Sequence, residues 1–318
     1  MFPLSTLDSL NIRANFFQAL AAAEAGTYWR NLALEVASRR AIEEYKWLGA
    51  SPAMRQWIGG RQGKRPAVLG MQIQNFPFEA SFELDVADLD RDSTGQLQVR
   101  INDLATRAAQ HPDALITTLI TEGETVGVAY DGQNFFDVDH SVGSSGTMTN
   151  DLTATEVPAA NVAAGSPFLM TPTECSNIIM QTIGHMMTFK DDVGEPINQN
   201  ARSFAVMVHP AQAAALLQSV NVDFLVNAVR NPVTSNIFQV LPIVNGRLPT
   251  AAIGKVYVFR TDGATKPFIM QFEKLPDPMV LDRMSEYARD TGHVKVGVDY
   301  RGNAGYGQWE QAALVTLS

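Results

Sequence analysis

Between Arg61 and Asp92 the chain reads RQGKRPAVLGMQIQNFPFEASFELDVADLDRD, and no other stretch limits the possible architectures as much. Gly63, Pro66, Gly70 and Pro77 interrupt it, and beyond them Phe78, Ala80, Phe82 and Leu84 alternate with other residues, the period of a strand with one apolar face. The reading is an extended, two-stranded excursion over residues 61–90. Such a ribbon is too thin to own a core, and an isolated hairpin is marginal in water. It has to be pinned by something outside itself, which implies a neighbour.

The preceding residues raise the same requirement. Residues 8–48 read as helical, with Leu10, Phe17, Leu20 and Ala21 on one stripe and a break at Gly26. Phe16, Phe17, Tyr28, Trp29, Tyr45 and Trp47 crowd into this arm. Each large ring is worth about 2–3 kcal/mol if it finds a surface, and that surface is expected to belong to another chain.

Asp92, Ser93 and Thr94 are N-cap candidates for a long helix in which Leu97, Ile101, Leu104, Ala105 and Ala108 share a face. His111 and Pro112 are expected to interrupt it, a short second helix to follow, and Gly123 to end it. Residues 143–167 are rich in Gly, Ser, Thr, Asn and Ala, the composition of an exposed connection, and a domain boundary is expected there. Next comes an α/β unit: a helix capped by Thr171 or Thr173, the strand SFAVMVH, a helix with Pro210 in its first turn, and the strand KVYVFRT. The strands KPFIMQFE, HVKVGVDYR and WEQAALVTL close the chain.

Composition narrows the function. With 318 residues the chain can bury a sizeable core. A net charge of −9 argues against a protein that coats nucleic acid by neutralising phosphates. The lone cysteine, Cys175, can form no internal disulfide and no thiolate metal site. No basic segment followed by an apolar run opens the chain, and no window approaches the ~18 apolar residues of a membrane span, so neither secretion nor a membrane is expected.

The stretch YDGQNFFDVDHSVG, Tyr130–Gly143, concentrates the candidate chemistry. Asp137, Asp139 and His140 are donors suited to a divalent ion, but their spacing fails the calcium-loop pattern. The favoured reading is a structural loop whose aspartates bond local N–H groups and whose Phe135 and Phe136 anchor it to the body. No G-x-S-x-G elbow occurs. His111, His185, His209 and His293 are scattered and read as structural. GNAGYG, Gly302–Gly307, lies too near the C-terminus and too close to strand-like sequence to be a dinucleotide loop. No cofactor and no catalytic residue is expected.

Four stretches, YKWLGASPAMRQWIG (45–59), IQNFPFEASFEL (73–84), YDGQNFFDVDH (130–140) and DYRGNAGYGQW (299–309), resemble the major head subunits of Mu-like phages and prophages. The order of elements resembles the Hong Kong 97-type capsid fold, an α+β class. The resemblance implies an N-terminal helical arm over 1–60, an extended loop over 61–90, a peripheral domain with its spine helix over 91–166 and 259–304, and an axial domain over 167–258 and 305–318. It implies a non-enzymatic shell protein that forms pentamers and hexamers around double-stranded DNA without reading its sequence. Portal, scaffold or protease, and decoration proteins are the implied partners, with assembly in the host cytoplasm and residence in the virion. Inter-subunit contacts are expected from Phe16, Phe17, Trp29, Trp47, Trp57, Arg61, Lys64, Arg65, Phe76, Phe78 and Phe82. Two other classes stay open here: a cytoplasmic hydrolase using His140 with nearby acids, and another oligomeric phage protein of the tail or adaptor kind.

Overall fold

The computed structural model describes residues 6–46, 70–86, 96–153, 169–192, 194–224, 230–235, 237–281 and 285–317. The arm begins with helix α1 (Thr6–Glu24), a turn at Gly26, and a single helical turn, α2 (Trp29–Leu32). Strands then replace the helix expected up to residue 48: β1 (Ala33–Ala37) and β2 (Ile42–Tyr45). The reason is tertiary, because β1 pairs in parallel with Phe268–Phe272, far along the chain, and local helix propensity is a weak competitor to such pairing.

The excursion also differs from its expected form. Strand β3 (Met71–Gln74) pairs antiparallel with β2, so the ribbon is built from residues 42–45 and 71–74. Strand β4 (Phe76–Asp85) pairs not with β3 but with His293–Gly302, far along the chain, over ten residues. Its alternation holds in part: Phe78, Phe82 and Leu84 are half-buried between exposed neighbours, while Ala80, expected on the same face, is exposed.

The spine is helix α3 (Gln96–Glu122), and Pro112 sits inside it without ending it. A mid-helix proline costs ~3 kcal/mol or more in isolation. The flanking turns are held by packing instead: Ile101, Leu104, Ala105, Ala108 and Ala109 are buried against α1 and against Val294, Val296 and Val298. The N-cap candidates Asp92, Ser93 and Thr94 lie outside the described residues.

Beyond the spine come β5 (Asp151–Thr153), α4 (Pro172–Met186), β6 (Ser203–Val208), α5 (Ala213–Asn221), β7 (Gln239–Val244), β8 (Lys255–Arg260), β9 (Phe268–Leu281), α6 (Glu286–Thr291), β10 (His293–Tyr306) and β11 (Ala312–Thr316). Thr171 caps α4 through a full capping box with Glu174. Two sheets organise the body: a four-stranded sheet in the order β1-β9-β10-β4, and a five-stranded sheet in the order β5-β11-β8-β6-β7. Every residue of β6 after Ser203 is buried, as are Val256–Phe259 and Ala312–Val315. These continuous apolar runs are strands covered on both faces. GNAGYG is the end of β10 rather than a nucleotide loop. At Gly305 a Cβ would fall 2.4 Å from Ile73 Cδ1, and at Gly307 one would fall 2.3 Å from the Lys266 carbonyl oxygen. Only glycine admits so close an approach.

Candidate assembly surfaces

The arm docks on its own spine. Phe16 and Leu20 of α1 are buried with α3 and β10, with Ile12, Ala19 and Ala23 beside them. At the next turn Asp113, buried on the spine just after Pro112, accepts the backbone N–H groups of Tyr28 (3.2 Å) and Trp29 (2.9 Å), and so caps α2 from another helix. Burial raises the Asp113 carboxyl to about 6, against the pull of those two donors. The Tyr28 hydroxyl bonds Thr117 (2.7 Å), and Asn245 donates to Thr117 (2.9 Å), which ties arm, spine and the end of β7 together.

A second buried polar network seats the ribbon. The Tyr45 hydroxyl donates to Gln271 Oε1 (2.8 Å), and Gln271 Nε2 donates to the Ile73 carbonyl (3.0 Å) and to Asn75 Oδ1 (2.7 Å). Asn75 in turn donates to Ser38 Oγ and the Arg40 carbonyl, both at 2.7 Å. Satisfied buried networks of this kind fix one arrangement, and this one fixes the foot of the ribbon on β9.

These seats revise the expected inter-subunit residues. Phe16 and Trp29 are 0% and 2% exposed within one chain, so they hold the arm to its own body and leave nothing for a neighbour. Phe16, not Phe17, faces the spine, and Phe17 is 47% exposed. Phe76 is 44% exposed, while Phe78 stacks on Tyr300 and Phe82 packs against the spine cluster. Trp47, Trp57, Arg61, Lys64 and Arg65 lie outside the described residues. Ile42, Val99, Leu275 and Met279 are further exposed apolar side chains of the arm, spine and four-stranded sheet that the sequence reading missed. Leu217, Val222, Phe224, Ile237, Leu241 and Val244 are their counterparts on and beside α5 and β7. Only the alternation in QVLPIV hinted at them.

In the Tyr130–Gly143 loop, Asp137 accepts N–H groups from Asn134 (3.2 Å) and Val138 (2.7 Å). Burial opposes its ionisation, but those donors, the Asp139 carboxyl and His140 outweigh it and hold Asp137 low; Asp139 is raised by its bond to Asp137. His140 is 0% exposed, bonded through Nδ1 to Asp131 Oδ2 (2.7 Å) and stacked on Trp309 at 3.9 Å. An imidazole so enclosed cannot reach a substrate, which removes the basis of the hydrolase reading. Among the described residues no group of three or more His, Cys, Asp or Glu side chains is placed to hold a metal ion.

The model of the family described as Mu-like prophage major head subunit gpT matches residues 7–174. The chain belongs to that family. Among relatives of this Mu-like head-subunit chain, the major capsid protein of Escherichia phage Mu is 30% identical over 165 residues, covering 50% of this chain and 52% of the relative. The Mu-like prophage FluMu major head subunit of Haemophilus influenzae is 32% identical over 143 residues, covering 45% of this chain and 46% of its own length. The chain thus spans about half the length of the curated relatives it matches.

Solved structures carry the likeness across the rest of the gpT-family chain. The procapsid of bacteriophage JBD30 aligns with a TM-score of 0.55 at 22% identity, covering 99% of this chain and 76% of that one. The capsid of cyanophage P-SCSP1u gives 0.57 at 11% identity (92% and 88% covered), and the virus-like particle from Pyrococcus furiosus 0.53 at 10% (96% and 97%). At these identities the likeness is one of fold, and the fold is the α+β Hong Kong 97 type.

Proposed function

We propose that this chain is a major capsid protein that self-assembles into pentamers and hexamers and forms the icosahedral head around phage double-stranded DNA. Its family membership is the observation that carries the reading, and the capsid fold along the whole chain supports it. A net charge of −9 suits a container wall that encloses DNA without adhering to it. The site of action is the virion shell, built in the host cytoplasm, and the chain needs no cofactor. Portal, scaffold or protease, and decoration proteins complete the particle; a JBD30 capsid, TM-score 0.52, is described as decorated with minor capsid protein trimers.

Within this reading the four-stranded sheet with α3 is the peripheral domain and the five-stranded sheet with α4 and α5 is the axial domain. The extended loop is the excursion rooted at β2 and β3. Phe17, Phe76 and the apolar margin of β7 are the contact residues of the body. Expression of the chain followed by negative-stain microscopy tests the proposal. Closed shells, tubes or capsomer rings are expected; a monodisperse monomer at every concentration and salt tried would sink it.

A further inference from the structure

The two sheets are joined in an unusual way. Strands β9 and β10 pair up to Phe268 and Tyr306, and the same two chain segments pair again as β8 and β11 from Phe259 and Ala312. Between these ladders lie two short links, residues 261–267 and 307–311. They are held side by side by Gly307 N–H to the Pro267 carbonyl (2.7 Å), Gln308 N–H to the Lys266 carbonyl (3.2 Å), and Gln311 Nε2 to Thr265 Oγ1 (2.6 Å). A pair of adjacent links with regular sheet on either side is the geometry of a hinge.

The Tyr130–Gly143 loop closes on that point. Phe135 packs on Phe268 and Tyr306, the last pair of the four-stranded side, at 5.1 and 4.9 Å, while Phe136 packs on Tyr257 of the five-stranded side at 5.8 Å. Neighbouring rings therefore grip opposite sides of the joint. Trp309, in the link itself, is wholly buried under the His140 ring at 3.9 Å and 6°. The Tyr130 hydroxyl donates to Glu310 Oε1. Asn150, a little further on, donates to the carbonyls of Phe135 (2.8 Å) and Trp309 (3.3 Å), and Asn198 donates to that of Glu310 (2.7 Å). The joint is therefore held by one loop, whose rings and polar side chains touch both of its sides.

We infer that the Tyr130–Gly143 loop is the lock of a hinge between the two sheets, and that Tyr130 and His140 hold the lock shut by clasping Glu310 and Trp309. The inference goes beyond the capsid reading, because it concerns motion inside one chain. Hydrogen–deuterium exchange on the full-length protein, read by mass spectrometry, tests it with Tyr130→Phe and His140→Ala. Exchange should speed up by about ten-fold or more in 261–266, 307–311 and the loop, and stay as in the parent in Phe204–Val208 and Val294–Val298, because local opening is separable from global unfolding. Val138→Ala, at an exposed position of the same loop, should change nothing. Should His140→Ala not fold, Tyr130→Phe, which removes only a hydroxyl, decides alone. Unchanged exchange at the links in Tyr130→Phe, or a rise spread evenly over both sheets, would overturn the inference.

Discussion

The two sheets solve the burial problem differently. In the five-stranded sheet the runs Phe204–Val208, Val256–Phe259 and Ala312–Val315 are buried on both faces, in a core that also takes in Trp29, Phe268 and Met270 from the other half. In the four-stranded sheet β4 alternates between half-buried and exposed positions, and β1 and β4 are both edges. Both halves keep exposed apolar side chains: Phe17, Phe76, Leu275 and Met279 near the alternating edge strand β4 in one, and Phe224, Ile237, Leu241 and Val244 on or beside the edge strand β7 in the other. The contrast teaches where copies can meet without disturbing the subunit, since unpaired edges and exposed apolar side chains are what a partner covers.

The sharpest way to break this contrast is to cut equally large side chains from the two halves. Phe204→Ala, in the closed sheet, should destabilise the subunit by about 3–5 kcal/mol, while Phe76→Ala should stay within about 0.5 kcal/mol in the subunit and lower particle yield instead. Denaturant melts and particle counts read the two effects; a large stability loss for Phe76→Ala would erase the distinction. Phe16→Ala should cost about 3 kcal/mol and expose the arm to limited proteolysis before the five-stranded sheet is touched.

Acidity gives a smaller effect that bears on both halves. Burial raises Asp113, on the spine, to about 6 and Glu310, at the joint, to about 7. Folded values above the unfolded ones mean that stability from these groups is fully present below about pH 4 and is lost as pH rises through about 6 and about 7. The parent should therefore gain on the order of 2 kcal/mol between pH 8 and pH 5. Asp113→Asn and Glu310→Gln should each flatten part of that slope in thermal melts; an unaltered slope in both variants would refute the assignment. Thr171→Ala, which removes the cap of α4, should cost about 1 kcal/mol. Asp137→Asn with Asp139→Asn should have the least effect, within about 0.5 kcal/mol, with assembly intact; particle loss reversed by a divalent ion would instead revive a metal role for the loop.

Much of the closed half was legible in the residues. SFAVMV, KVYVFR and the Thr171 cap announce themselves because burial on both faces demands an unbroken apolar run and a cap is a matter of neighbouring atoms. Less of the open half could be read. The helical appearance of Ala33–Tyr45 hides strands, Phe17 stands in for Phe16, and Pro112 reads as a break where α3 continues. The Tyr130–Gly143 loop was legible as anchored by Phe135 and Phe136, but its grip on Trp309 and Glu310 was not, since Glu310 lies 180 positions from Tyr130.

The residues alone determined the family, the capsid fold class, the buried strands and the helix caps, because those depend on local pattern and on short motifs. Tertiary structure decided which strands pair, which face of the arm is covered, and where the two sheets hinge. Tyr45 and Gln271, for instance, stand 226 positions apart. The free energy of such choices resides in contacts between distant residues, and no local window of sequence contains both partners.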